Sequence, residues 1–209
     1  MARVSQAHLD ARRRQILDGA ARCFARNGFH ATSMQDVLRE AGLSAGAVYR
    51  YFSSKEELIE AIADEAFDTI RTAFAEAARE SPPPLPDAII GRVVRQVYAG
   101  PGGTPEGGRP AFPRLILQVW AETLRNERLS ATLDEGYATL RATWIEVVES
   151  YQRAGLVRAD VPADDIARIL IATVQGFIAQ QALFGEVDVE VLQRGLRALM
   201  SMDIGDRSS

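Results

Sequence analysis

The helical repeat constrains this chain more than any other feature. Ile16, Ala20, Cys23 and Phe24 fall on one helix face, which ends near Asn27-Gly28, where glycine takes the left-handed cap. Met34, Val37, Leu38 and Ala41 mark a second helix. Thr32 or Ser33 caps its start, with Gln35 or Asp36 three residues on as the capping-box partner, and Gly42 ends it. Ser44 caps a predicted third helix of about two turns. Ser54-Lys55-Glu56-Glu57 forms the capping box of a fourth, which carries Leu58, Ile62, Ala66, Ile70 and Phe74. That helix, about 54–79, stops at SPPPLP (81–86), because proline lacks the amide proton and clashes with the preceding turn. Further helices are predicted at about 87–98, 111–126, 129–154, 163–184 and 188–201. EVDVEV at 186–191 alternates like a strand, but Val189, Leu192, Leu196 and Leu199 continue at helical spacing after a good N-cap, Asp188. The segment GPGGTPEGGRP (100–110) is too rich in glycine and proline for regular structure and reads as a mobile loop. The expected fold class is all-α.

Composition narrows the function. With 47% hydrophobic and 25% charged residues the chain is globular rather than disordered. Cys23 is the only cysteine and His8 and His30 stand apart, which excludes a disulfide framework and a zinc cluster; no metal or cofactor is expected. No nucleophile–base set or phosphate-cradling glycine loop is present, and acid pairs such as Asp164-Asp165 and Glu56-Glu57 read as helix N-terminal charges. No apolar run approaches the roughly 18–20 residues of a membrane helix. MARVSQAHLDARRRQ has no apolar stretch behind its charges, so no secretory signal is expected and a cytoplasmic location follows by default. Charge is unevenly spread. Residues 1–55 hold nine basic against four acidic residues, a net of +5; since the whole chain is −4, the remainder carries −9. A basic head on an acidic body points to a polyanion partner, although a solvated charged face has the same signature.

The second and third helices are joined only by Ala41-Gly42-Leu43, the outline of a DNA-binding helix-turn-helix, which other helical hairpins share. In projection Ala45, Val48, Tyr49 and Phe52 fall on one side of the third helix, and Val48 and Phe52 can pack on the first two. Gly46, Ala47, Arg50 and Tyr51 fall on the other. Small residues there let the backbone approach DNA, Arg50 can reach a guanine edge, and hydroxyls, Lys55 and the amides opening the fourth helix can hold phosphates.

From Arg14 to Glu65 the sequence resembles the tetracycline-repressor (TetR) family of transcriptional regulators. The resemblance rests on ILDGAARCFARNGFHATSMQDV followed by AGLSAGAVYRYFSSKEELIEAI. It implies a three-helix head over residues 1–55, the fourth helix as a shared connector, and a helical effector-binding and dimerisation domain over 56–209. It further implies a homodimer on a palindromic double-stranded DNA operator, repressing until a small effector of unknown identity enters the body; the aromatic residues there suit a partly hydrophobic one. Carried over by position, phosphate contacts fall on Thr32 or Ser33, Ser44, Tyr49, Tyr51 and Lys55, and base reading on Gln35, Ala45, Gly46, Ala47 and Arg50. Ala45 and Ala47 carry no hydrogen-bonding group, so direct readout leans on Arg50 and Gln35 with methyl contacts to thymine. Tyr49 reads equally as a packed aromatic.

In the body, helix 163–184 is apolar on more than one face and must be covered on both sides, by its own core and by a partner subunit or by the rest of a monomeric bundle. The partner-facing candidates are Ile166, Leu170, Val174, Phe177 and Ile178, with Leu192 and Leu196 on the last helix. Phe112, Leu115, Trp120, Tyr137 and Trp144, with Gln118 and Glu122 flanking Trp120, are the effector-pocket candidates; large aromatics at such spacings also serve as plain core. The 100–110 loop is the expected entrance. The alternatives to a ligand-responsive repressor are a helical DNA-binding protein without effector and an all-α enzyme.

Overall fold

The computed structural model describes residues 6–77, 79–80, 84–99, 111–185 and 187–200. Among them the elements run α1 (Gln6–Asn27), α2 (Met34–Ala41), α3 (Ala45–Val48), α4 (Lys55–Ala77), α5 (Pro86–Tyr98), α6 (Ala111–Thr123), α7 (Glu127–Arg153), α8 (Ala163–Phe184) and α9 (Val189–Met200), with no strand. The chain is all-α. The proline-rich residues 81–83 and the loop predicted at 100–110 lie outside the described residues.

Local chemistry accounts for the boundaries in the head. α1 gives way at Gly28, whose φ of 83° puts it in the left-handed region. Ser33 opens α2 with a full capping box: its hydroxyl accepts from the Asp36 N–H while the Asp36 carboxylate accepts from the Ser33 N–H at 2.9 Å. The Thr32 alternative is excluded, because its buried hydroxyl donates to the Gly28 carbonyl at 2.8 Å. Gly42, at φ 65°, reverses the chain and lets the Leu43 N–H reach the Leu38 carbonyl at 3.1 Å.

Three expectations need correction. α3 is one turn, not two, and continues past Val48 as hydrogen-bonded turns through Phe52. Ser44 occupies its N-cap without a side-chain cap bond. At the start of α4 the reciprocal box is split over two serines: the Glu57 N–H reaches the Ser54 hydroxyl at 3.3 Å, while the Glu57 carboxylate accepts from the Ser53 N–H at 2.6 Å.

Two hydrophobic clusters meet along α4. The first unites Ile16, Phe24, Val37, Val48 and Leu58 of the head with Leu115 and Val119 of α6 and Leu129 and Leu133 of α7. The second joins Phe74 of α4 to α5, Trp144 of α7 and Leu170 and Phe177 of α8. Burial at roughly 25 cal/mol per Å² of apolar surface is what holds the two together. Charged ties reinforce them: Arg13 of α1 pairs with Glu65 of α4, and the buried Asp87 of α5 accepts from Arg197 of α9 with its Nε at 3.0 Å.

Candidate functional site

The turn at Gly42 and the short α3 present one face of the head to solvent. Ser33, Gln35, Ser44, Ala45, Gly46, Tyr49 and Arg50 are exposed there, and Ala47, Tyr51 and Lys55 are half-buried. A Cβ built on Gly46 meets nothing within 4 Å, so the backbone at this point is open to a close approach. Arg50 makes no ion pair with a described residue.

Much of the other positive charge is spent inside the head. Arg22 and Arg26 both pair with Glu40 at 2.8 Å, and Arg39 pairs with Asp36 at 3.1 Å. Hydrogen bonds from Arg26 and Arg22 hold the Glu40 carboxyl below the usual glutamate range. Thr32 is a correction, since its buried hydroxyl is bonded inward and unavailable to a phosphate. The Lys55 ammonium donates to the Phe29 carbonyl at 3.0 Å and sits 4.5 Å from the Phe29 ring centroid, so it is partly committed before any DNA arrives. The opening amides of α4 are likewise partly capped by Ser54 and Glu57.

The body holds a cavity of about 110 Å³. Phe112, Trp120, Tyr137 and Trp144 line it, together with Phe67, Ile70 and Phe74 of α4, α5 residues including Val94 and Tyr98, and Ile171, Val174, Gln175 and Ile178 of α8. Edge-on aromatic pairs stiffen its walls, Phe67–Tyr137 at 5.6 Å and Phe74–Trp144 at 4.8 Å between centroids. Burial pushes the Tyr98 hydroxyl pKa up, and that hydroxyl donates to Gln181. Tyr137 is also raised by burial, with the Gln175 and Trp120 side chains acting the other way. Reasoning from sequence missed the α4 wall and Gln175. The latter was a lone polar residue within an apolar helix turn, which is the signal that could have found it.

Leu115, Gln118 and Glu122 do not line the cavity. They sit on the opposite, head-facing side of α6. Leu115 is fully buried in the head cluster. The Gln118 side chain lies against Gly28, 3.5 Å from where a Cβ would stand. Glu122 pairs with His30 of the head at 3.1 Å, and Arg125 lies 3.4 Å from the same ring nitrogen. α6 is thus a partition with the cavity on one side and the α1–α2 loop on the other.

The interface candidates on α8 and α9 fall on the inward side. Leu170, Phe177 and Leu196 are buried in the protomer, Val174 and Ile178 line the cavity, and Ile166 and Leu192 pack against the body core. The outward stripe of α8 is Ile169, Ala172, Gly176 and Leu183, with Phe184 84% exposed and Leu199 of α9 68% exposed. By length and composition α8 is also apolar enough to cross a membrane, contrary to the expectation that no such run exists. Its Ala167, Leu170 and Phe177 are buried in the body core.

Residues 16–62 match the family described as bacterial regulatory proteins, tetR family, and residues 104–202 match the BetI-type transcriptional repressor C-terminal family. The chain is 36% identical over 184 residues to the HTH-type transcriptional repressor Rv1474c of Mycobacterium tuberculosis, covering 87% of this chain and 88% of that one. Salmonella enterica GusR is 29% identical with a TM-score of 0.69, over 96% of this chain and all of that one. A transcriptional regulator from Saccharomonospora viridis in complex with choline shares the fold at 23% identity and a TM-score of 0.71, over 93% and 97% of the two chains. With its helix-turn-helix head and all-helical body, this chain belongs to the TetR family of DNA-binding transcriptional regulators, and not to an enzyme family.

Proposed function

We propose that this protein is a cytoplasmic homodimeric repressor, released from a palindromic operator when a small molecule fills the body cavity. The observation that carries this reading is the double role of α6: Ile116 and Trp120 line the cavity, while Gln118 and Glu122 hold the head at Gly28 and His30. Residues 1–55 act as the DNA-reading unit and 56–209 as the effector and dimer unit, with α4 shared between them. α4 runs from Lys55 at the DNA-facing side to Phe74 in the cavity wall. A two-fold dimer reads both half-sites only when its recognition helices stand about 34–36 Å apart, so a small tilt of α4 and α6 breaks the register. A ligand shifts that balance only by its differential affinity for the two arrangements.

On the DNA, Arg50 and Gln35 are the base-reading side chains. Ser33, Ser44 and Tyr49 contact phosphates, and Ala45, Gly46 and Ala47 allow close approach. The outward α8–α9 stripe is the surface that a second copy covers, since an apolar patch of this kind on a DNA-binding regulator marks an association site. The apolarity of α8 is then shared between two protein cores instead of lipid. Footprinting DNA that flanks the protein's own reading frame, with and without candidate ligands, tests the reading. Protection of a palindrome that is lost on ligand addition is the expected result, and uniform sequence-independent protection unaffected by any ligand would contradict it.

A further inference from the structure

The cavity also has a chemistry, and it is selective. Among the described residues no Asp, Glu, Lys, Arg or His lines the 110 Å³ chamber. Tyr98 already donates its hydroxyl to Gln181, whose own amide donates to the Val187 carbonyl at 2.6 Å, so the α5 end of the chamber is chemically closed. The remaining polar groups are the Trp144 indole, set against Phe74, and a corner made of the Trp120 indole, the Tyr137 hydroxyl and the Gln175 amide. An indole N–H is a donor only, a carboxamide brings two donors and an accepting oxygen, and a phenol one of each. With Trp120 and Gln175 acting on the Tyr137 oxygen, the Tyr137 O–H and the second Gln175 N–H are left to meet a ligand's oxygen.

The same corner is the threshold of a second recess. About 190 Å³ in volume, it shares Trp120, Leu133, Tyr137 and Gln175 with the chamber and adds Thr123, Ser130 and Asp134. Among the described residues that line it, Asp134 is the one acidic side chain. The recess lies between α6, α7 and α8, a polar, acidic vestibule beside the apolar chamber.

Resting on the effector-responsive reading above, we propose that the ligand is an uncharged molecule with a single-ring-sized apolar body and one hydrogen-bond-accepting oxygen, a ketone, ester or alcohol. The body fills the chamber and the oxygen takes the donors of the Trp120–Tyr137–Gln175 corner. Size supports this class: an engineered apolar cavity of about 150 Å³ stays dry and takes benzene, so 110 Å³ suits one ring without rearrangement. A carboxylate would lose its hydration without a cation to meet it and would pass Asp134 on the way in. A primary ammonium would be drawn only weakly to the exposed, screened Asp134, and its three N–H donors would meet only the Gln175 and Tyr137 oxygens in the corner. The aromatic walls still attract a cation through their ring faces, so benzylammonium is the probe that decides this point.

The test uses the full-length chain with three near-isosteric probes, acetophenone, benzoate and benzylammonium, followed by tryptophan quenching and calorimetry. Acetophenone is expected to bind, and benzoate and benzylammonium to bind roughly a hundredfold more weakly, the penalty of an unpaired buried charge. Gln175→Leu should weaken acetophenone while leaving toluene, which lacks the oxygen, unchanged; Tyr137→Phe is a second variant with the same expected split. Equal or tighter binding of either ion, failure of all three probes at millimolar concentration, or equal losses for acetophenone and toluene in both variants would overturn the ligand class. Operator affinity measured on the same samples separates this from the wider reading. An ionic probe that binds and releases DNA sinks only the ligand class, whereas acetophenone that binds in the expected order without changing operator affinity sinks only the switch.

Discussion

The head and the body of this protein are built to opposite specifications. In the head, Ile16, Leu17, Ala20, Phe24, Val37, Val48 and Leu58 are fully buried, Gly19 lets α1 and α2 touch, and Glu40 and Asp36 pair internally with three arginines. In the body, aromatic residues surround a hole, and Ile169, Leu183 and Phe184 stand in solvent. The head is packed throughout, while the body holds an apolar cavity and an exposed apolar stripe. The lesson is that rigidity and receptivity are assigned to different helices, with α4 and α6 belonging to both.

A charge on α8 is expected to have the largest effect. Ile169→Glu, on the exposed stripe, should leave the protomer folded and split the dimer by placing an unpaired charge in the interface, at a cost of about 3–5 kcal/mol. Phe177→Glu, buried in the protomer, should instead unfold the body. Sedimentation and circular dichroism distinguish the two, and a folded dimer carrying Ile169→Glu would contradict the assignment of the outward face.

A pair of glycines compares packing with function inside the head. A Cβ on Gly19 would stand 3.1 Å from both the Cβ and the backbone N of Ala41, so Gly19→Ala should destabilise by about 1–3 kcal/mol through overpacking of the α1–α2 contact. Gly46→Ala meets nothing and should leave the melting temperature unchanged or raise it, yet weaken operator binding where the backbone must come close. Thermal unfolding and DNA titration read the two effects independently. A loss of stability with Gly46→Ala would mean that this glycine serves the fold.

What could be read from the sequence divides along the same line. Helix starts and stops depend on neighbours three or four residues away, so Gly28 and Gly42 were legible as they stand, and Ser33-Asp36 as one of two adjacent boxes between which the inward bond of Thr32 decides. Orientation was not. α8 is apolar all round, and nothing local says that Phe177 points inward while Ile169 points out. Leu115, Gln118 and Glu122 sit within a few residues of Trp120, yet the half-turn between them sends them to the head rather than the cavity. Lys55 was legible as a phosphate ligand, but its bond to the Phe29 carbonyl depends on a loop 26 residues away.

That last point sharpens the prediction for the DNA face. Arg50→Ala should cost about 1–3 kcal/mol at one base pair in each half-site and relax sequence choice there. Lys55→Ala should weaken specific and random DNA alike, with a reduction in the salt slope smaller than one full phosphate contact, and should lower head stability by about 1 kcal/mol. Titrations at several salt concentrations on specific and random duplexes check both; equal losses on the two duplexes for Arg50→Ala would end the division between base and phosphate contacts.

The smallest effect concerns acid. The Glu40 carboxyl is held below its ordinary value of 4.5 by Arg26 and Arg22, so its contribution to folding is fully present above that value and is lost as pH falls through its lowered one. Glu40→Gln should therefore cost less than about 1 kcal/mol at neutral pH, given how exposed Arg26 is, and the difference from wild type should close in strong acid. Chemical denaturation across pH reads this, and a gap that widened on acidification would give the wrong sign.

One measurement bears most directly on the division of labour between head and body. Operator affinity is determined with and without a ligand that quenches Trp120 and Trp144, and the affinity for that ligand is determined with and without operator, all on the wild-type protein. If the chamber and the head are joined through α4 and α6, the ligand weakens DNA binding and the DNA weakens ligand binding by the same factor. A ligand that quenches both tryptophans yet leaves operator affinity unchanged would show that α6 separates the two regions without connecting them.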